Sequence, residues 1–432
     1  MFSTCRNKGF ILAFAFVFSV LPAGSMAVEE KSVINGNDKK EVIEVVKSFI
    51  TNTFSINVEN LQGLDLISKN AKDFEEYVKL RYQLNFGSKY KKTDVNLEVE
   101  RKEMSFNVLE FKPKNKDIVD VKVGVIETTR YKGFDEDSKF SEQYILRLIK
   151  EDGTWKVLKA QDKSCYIERI AKPEEEIDKK GHDDFQAKFG GSFTQNNLKK
   201  HFNKNETESY LDSLKFNYNE YMRKRIEEEK ILDKEAKSNN KNSVKSTTNV
   251  INRPETRAVD FNRANMRAYM NRWGTGRNPA YIDAGLYGNG DCANYASQIF
   301  RAGGAPFDYS GNMSQRWYYT GTNPGGNPGR SYSWAGVKEL HNYLKNNTGG
   351  GMIGSRYWID LYGQNLKIGE PIFLYKKHNG GNAHNPHHVV VCYQPNSDTE
   401  SMLVSSHTAD FVSQPLRYWN AYNNRRLAMY IN

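Results

Sequence analysis

Two stretches in the first half of the chain alternate apolar and polar residues with the period of a β-strand. "DIVDVKVGVIETT" sets Val119, Val121, Val123 and Val125 against Asp120, Lys122 and Gly124. "QYILRLIKEDGTWKVLKAQ" holds two β-rich runs joined through Asp152-Gly153, a dipeptide suited to a two-residue hairpin turn. A period of two gives each strand one face for a core and one for solvent, so these runs require an antiparallel sheet. Upstream, "EVIEVVKSFITNTF" spaces Val42, Val45, Val46, Phe49 and Ile50 as one face of a helix. Helix first and long strands after predict an α+β roll over residues 28–170.

The closing strand of that hairpin, "GTWKVLKAQ", resembles the end of the cystatin-like cone domains of the nuclear-transport-factor-like superfamily. The resemblance implies a cone-like roll with a targeting or scaffolding role.

Residues 1–27 stand apart. Arg6 and Lys8 begin a run, "GFILAFAFVFSVLPAG", that ends in "SMA", with Ser25 and Ala27 where a signal peptidase reads. This predicts a cleaved signal peptide and a secreted or cell-surface protein. The apolar run is shorter than the roughly 20 residues a span needs, and no later segment is apolar enough to cross a membrane. The formal charge is +10, of which Arg6 and Lys8 supply two. A basic exported chain suits adhesion to an anionic surface polymer. Nucleic acid is not an expected partner: no reading module is present, and lysine is interleaved with glutamate.

Residues 171–254 read as a charged helical region and linker. "YLDSLKFNYNEYMRKRIEEEKILDKEAK" places Leu211, Leu214, Tyr218, Met222 and Ile226 three or four apart, then fades into "SNNKNSVKSTTNVINRP". The amphipathic part is expected to pack on a neighbouring region, and a cover over the catalytic residues is one use for it.

Residues 255–432 are rich in Gly, Asn, Tyr and Trp and hold six of the eight histidines. Cys5 departs with the signal, leaving Cys165, Cys292 and Cys392, too few for a disulfide framework. No CxxC pair exists, which argues against a thiolate zinc site. Of the three, Cys292 has the most informative setting. In "YGNGDCANYASQIFRAGG" it follows a glycine-rich turn, and Ala293, Ala296, Ile299 and Phe300 then repeat at helical spacing up to Gly303 and Gly304. Asp291 takes the N-cap position and Cys292 the first turn, where N–H groups and the helix dipole favour a thiolate. The rival reading is a small buried apolar cysteine.

A thiol nucleophile needs a base. "NPHHVVVCYQPNSDTESMLVSSHTAD" predicts a hairpin turning near Ser397. His388 then shares a face with Val390 and Cys392, His387 points the other way, and His388 lies opposite Ser406 within a residue of His407. One histidine is the base; another, or Asp410, orients it. Cys392 lies inside an apolar strand and Cys165 in the first region, and both read as structural. His384, His387, His388, His407 and Asp410 are residue types zinc accepts, but they match no metal-helix motif, and adjacent strand residues point to opposite faces. No metal or organic cofactor is expected.

These blocks resemble the putative amidase domain family, cysteine hydrolases of the papain-like and NlpC-type group. "DFNRANMRAYMNRWGTGRNPAY" is similar to the family's opening helix and Asn-Pro turn, and "GDCANYASQIFRAGG" to its G-D-C-[TA]-N-[FY]-x-S-Q block. "WYYTG" and "SYSWAGVKELHNYL" resemble its aromatic block and second helix, "HHVVVC" its histidine strand and "SSHTAD" its H-T-x-D block. Glu370-Pro371 departs from the family's usual Gly-Asp. The resemblance implies a papain-like α+β hydrolase domain with Cys292 as nucleophile and His388 as base. His407 is the first choice for a third member and Asp410 the second. Asp291 and Asn294 hold the helix, and the Cys292 N–H is an oxyanion donor. The expected function is hydrolysis of an amide, in a cell-wall peptide or another peptide, through an acyl-enzyme. The alternative is an exported surface-binding module that keeps the fold without turnover.

Overall fold

The computed structural model describes residues 34–55, 60–86, 97–164, 167, 171, 218–239, 259–284, 290–311, 315–321, 329–347, 350–358, 366–375, 385–396, 401–421 and 425–431. The signal segment, Cys165, Leu211, Leu214, His378, His384 and most of the linker lie outside them.

Helix α1 (Gly36–Phe49) starts where Asn35 Oδ1 accepts the Asp38 N–H at 2.8 Å, and it buries Val42, Val46 and Phe49, the residues its spacing selects. Helix α2 (Lys72–Phe86) follows. Four long antiparallel strands come next: β1 (Val99–Pro113), β2 (Ile118–Tyr131), β3 (Ser138–Glu151) and β4 (Thr154–Asp162). Val119, Val121, Val123 and Val125 all point into the core. The β3–β4 turn has φ of 51° at Asp152 and 81° at Gly153, the left-handed pair that a tight hairpin demands.

Helix α3 (Tyr218–Asn239) lies against α2. Met222 is buried in the first region's core, Asn219 Nδ2 donates to the Asp73 carbonyl at 3.3 Å, and Arg223 pairs with Glu76 at 2.6 Å. Its apolar face is therefore used on the first region. Among the described residues it does not pack over Cys292, against the expectation of a cover.

The third region places its α-helices first and its strands after: α4 (Arg263–Trp273), α5 (Cys292–Ala302), α6 (Tyr332–Ala335), α7 (Val337–Asn346), β5 (Gly354–Trp358), β6 (Pro371–Tyr375), β7 (His388–Gln394), β8 (Leu403–Ser406), β9 (Asp410–Pro415) and β10 (Arg425–Ile431). The whole is α+β, with antiparallel pairing throughout the sheet.

One ten-stranded sheet crosses both regions in the order β1-β2-β3-β9-β8-β7-β6-β10-β5. The edge of β3 that faces away from β2 is divided. Residues 139–141 pair with β9 and residues 144–151 with β4. Composition shifts separate the two regions in sequence, but hydrogen bonding joins them.

The sheet's two faces in the third region are distinct. Phe373, Val389, Val391, Leu403, Leu427 and Met429 pack with α4, α5 and α7. Ile372, Leu374, Val390, Cys392 and Val404 face the other way, toward Trp419 and a core continuous with that of the first region.

Candidate active site

Helix α5 is buried from Cys292 to Phe300, an all-round burial that a run of small and aromatic residues permits. Its first helical bond runs from the Tyr295 N–H to the Asp291 carbonyl at 2.8 Å. Asp291 stands at the N-cap position as the spacing predicts, yet its side chain makes no capping bond. Its carboxylate is taken up elsewhere. Oδ1 accepts from Asn294 Nδ2 at 2.7 Å and from the Ala284 N–H at 2.9 Å, while Oδ2 accepts from His407 Nδ1 at 2.6 Å. The Asp291 N–H donates to Thr408 Oγ1 at 2.6 Å.

Bulky residues brace the side of α5 away from the sheet. Trp334 Nε1 donates to Asn294 Oδ1 at 2.7 Å and Trp317 Nε1 to Ser297 Oγ at 3.0 Å. Asn294 is thus a structural clasp, as expected. On the sheet side the Tyr295 hydroxyl meets Ser405 Oγ at 2.9 Å.

His407 stacks on Tyr295 with ring centroids 3.7 Å apart, and both its nitrogens are engaged. Nδ1 meets the Asp291 carboxylate and Nε2 meets the Trp273 carbonyl at 2.8 Å. Both partners are acceptors, so the pair of bonds is complete only when each nitrogen carries a hydrogen. A ring held this way has no nitrogen with which to orient a second histidine. Asp410 is likewise committed. Arg277 grips it bidentately, Nη1 to Oδ2 at 2.6 Å and Nη2 to Oδ1 at 3.1 Å. The structure brings His407 and Asp410 to the Cys292 end of α5, but not into the role of orienting His388.

Arg277 completes a charge cluster that the sequence reading missed. Its Nε lies 3.2 Å from Asp283 Oδ1 and 3.3 Å from Asp291 Oδ2. Burial alone would push the Asp291 carboxyl above its ordinary range; the hydrogen bond and charge of His407, the charge of Arg277 and the Asn294 amide outweigh this and hold it below.

The histidine hairpin forms, with a different register. Val391 pairs with Ser405 and Cys392 with Val404, two residues from the pairing expected for a turn near Ser397. An even slip preserves which side chains share a face. His388 does share one with Val390 and Cys392. Its Nε2 lies 2.9 Å from Ser406 Oγ, its ring stacks on Trp419 at 5.0 Å, and its strand partner is Leu374. That is the face turned away from α5. His387 precedes the strand; continued alternation would give it the phase of Val389 and Val391, which pack in one cluster with Cys292, and its ring lies 6.4 Å from that of His388. His388 thus has the expected strand-mates, while Cys292 clusters with the residues of the other face, Val389 and Val391.

Cys392 is fully buried, and burial followed by the nearby Glu370 carboxylate pushes its thiol well above the usual range. Glu370 accepts the Lys367 N–H at 2.9 Å and lies 3.6 Å from Arg263. Among the described residues no cluster of His, Cys, Asp and Glu is arranged to hold a metal ion, and no helix is long and apolar enough to cross a membrane.

Residues 260–430 match the family model described as a putative amidase domain, the family that the cysteine, histidine and H-T-x-D blocks resemble. No curated protein matches the chain. Solved structures match in part, among them two enzymes. A putative scytalone dehydratase from Novosphingobium aromaticivorans is 11% identical over 29% of this chain and 83% of its own, with a TM-score of 0.21. A hexachlorocyclohexane dehydrochlorinase (LinA) type 2 is 8% identical over 29% of this chain and 84% of its own, with a TM-score of 0.20.

Proposed function

We propose that residues 255–432 form a papain-like cysteine amidase or peptidase, exported through the signal at residues 1–27, with Cys292 as nucleophile and His387 as general base. The family match over residues 260–430 supports amide hydrolysis as the reaction class. The observation that carries the residue assignment is one of faces. Cys292 opens the helix that packs on the β7 face of Val389 and Val391, the alternation phase that His387 would have one residue before the strand, whereas His388 belongs to the face against Trp419.

His387 takes the thiol proton and the sulfur attacks the amide carbonyl carbon. The tetrahedral species collapses, the C–N bond breaks, and the amine leaves with the proton from His387. Water, deprotonated by His387, then attacks the thioester; the S–C bond breaks and the thiol is restored. No step calls on a metal or an organic cofactor. His407 stays outside the proton transfers, because both its nitrogens are already engaged, with Asp291 and with the Trp273 carbonyl. Basic charge and export favour a peptide of the cell wall, or one attached to an anionic surface polymer, as substrate.

The test is a digest of peptidoglycan by the mature protein and by Cys292→Ala, His387→Ala and His388→Ala variants, with new amine ends sought by mass spectrometry. Products from the wild type that vanish in the first two variants support the assignment. Equal products from wild type and Cys292→Ala overturn cysteine catalysis. Loss in His388→Ala with retention in His387→Ala returns the base to His388. Binding to the polymer with no products from any form is the signature of a non-catalytic surface module.

A further inference from the structure

The carboxylate immediately before Cys292 is buried, and a buried negative charge beside a thiol opposes the thiolate. Three aspartates meet here from separate parts of the chain: Asp283 from the loop after α4, Asp291 at the start of α5 and Asp410 at the start of β9. Arg277 touches all three, at 3.2 Å, 3.3 Å and, through two bonds, 2.6 and 3.1 Å. We propose that Arg277 is a positioning residue for the Cys292 nucleophile: it ties the Asn-Pro turn and the H-T-x-D turn to the first turn of α5 and offsets the Asp291 charge beside the thiol. The inference rests on Cys292 being the reactive cysteine.

The groups that bear on this cluster come from every element around it. Asp283 lies on the same loop as Arg277, Tyr269 on α4, and Asp291 and Tyr295 at the start of α5. His407 and Asp410 come from the turn between β8 and β9, and Glu142 of β3 acts on the cluster through Asp410. His387 immediately precedes β7. Among the described residues in contact with Asp291, only Arg277 and His407 can carry positive charge, and His407 is fixed between Asp291 and the Trp273 carbonyl. An arginine fork suits the task, because it stays charged and reaches several carboxylates at once.

The experiment needs no substrate. The mature protein is alkylated with iodoacetamide across a pH series, and the rate at Cys292 is read from its peptide by mass spectrometry, with Cys392 as the internal reference. In Arg277→Gln the Cys292 rate at pH 7 should fall about tenfold, and the midpoint of its pH profile should rise by about one unit. Arg277→Lys, which keeps the charge, should hold the midpoint near that of the wild type. Asp283→Asn removes a carboxylate and leaves Arg277 in place, so its midpoint should move down. That opposite sign is something a purely structural lesion does not produce. An Arg277→Gln profile that superimposes on the wild type, with circular dichroism showing a folded chain, overturns the inference and leaves the hydrolase reading intact. If Arg277→Gln does not fold, Asp283→Asn decides: an unchanged or raised midpoint overturns it. A wild-type Cys292 that labels no faster than Cys392 removes the hydrolase reading and the inference together.

Discussion

Asp291 is fully buried and has four hydrogen-bonding or ionic partners for its carboxylate, so its ionised form belongs to the folded state. Its pKa is lowered from the ordinary 3.8 despite burial, which fixes the sign of its contribution. The stability it supplies is present above about pH 4 and is lost as pH falls through the depressed folded value. His407→Ala should remove the shortest of those contacts and leave the carboxylate poorly compensated. We expect it to cost about 3 kcal/mol in urea unfolding at pH 7, the scale of a broken buried ion pair. A loss under about 1 kcal/mol would mean that His407 is not held as described. His407 and Asp410 were legible because they sit in a recognisable block with spacing of its own. Arg277 and Asp283 were not: single charged residues in a loop have no periodicity, and their meaning lies in contacts 6 to 133 positions away in sequence.

Strands were legible where one face is buried and the other is not. Val119 to Val125 alternate because β2 has a core on one side only, and the same rule gave the correct face for His388. Where both faces are buried the rule loses its direction. Every residue of β7 from His388 to Tyr393 is buried, so alternation told which residues share a face but not which face meets α5. The two histidines therefore separate in experiment. His388→Ala should lower the unfolding midpoint, through loss of the Trp419 stack and the Ser406 contact, while Cys292 still labels at the wild-type rate. His387→Ala should leave the unfolding midpoint close to that of the wild type and slow labelling at pH 7 by at least about tenfold, as expected when a thiol loses its base. The reverse pattern, read from the same two measurements, would put His388 on the Cys292 side. The β3–β4 turn offers a simpler check. Gly153 has open space around an added Cβ, so Gly153→Ala should cost only its left-handed backbone penalty, about 1 kcal/mol in urea unfolding.

At the scale of the whole molecule, the seam between the first and third regions was invisible in sequence. It depends on pairing residues 139–141 with 410–412, a contact between segments that share no local pattern. The seam is extensive. Phe140 and Phe411 rings lie 5.0 Å apart, Ser413 Oγ donates to the Asp137 carbonyl at 2.5 Å, Ser138 meets Gln414, Arg267 pairs with Glu136, and Arg417 covers the Phe134 ring at 4.8 Å. Asp410, at this seam, is also the residue Arg277 grips, so the first region is linked through Asp410 and Arg277 to Asp291, the residue before Cys292. Glu142, next to the seam on β3, is buried. Burial first, then the charges of Asp162 and Asp410, push its pKa from 4.5 up to about 8. The folded chain therefore holds this proton more tightly than the unfolded chain. Its contribution to stability is fully present below about pH 4.5 and is lost as pH rises to about 8. Glu142→Gln keeps the shape of the protonated acid and cannot ionise. It should leave stability unchanged at pH 4 and raise it by at least about 1 kcal/mol at pH 8.5, measured by urea unfolding at both values. Equal effects at the two pH values would show that Glu142 is not the titrating group. The same comparison followed by Cys292 labelling tests whether the seam reaches the site: if it does, labelling in Glu142→Gln stays proportional to thiolate above pH 8, where the wild type falls away as Glu142 ionises beside Asp410.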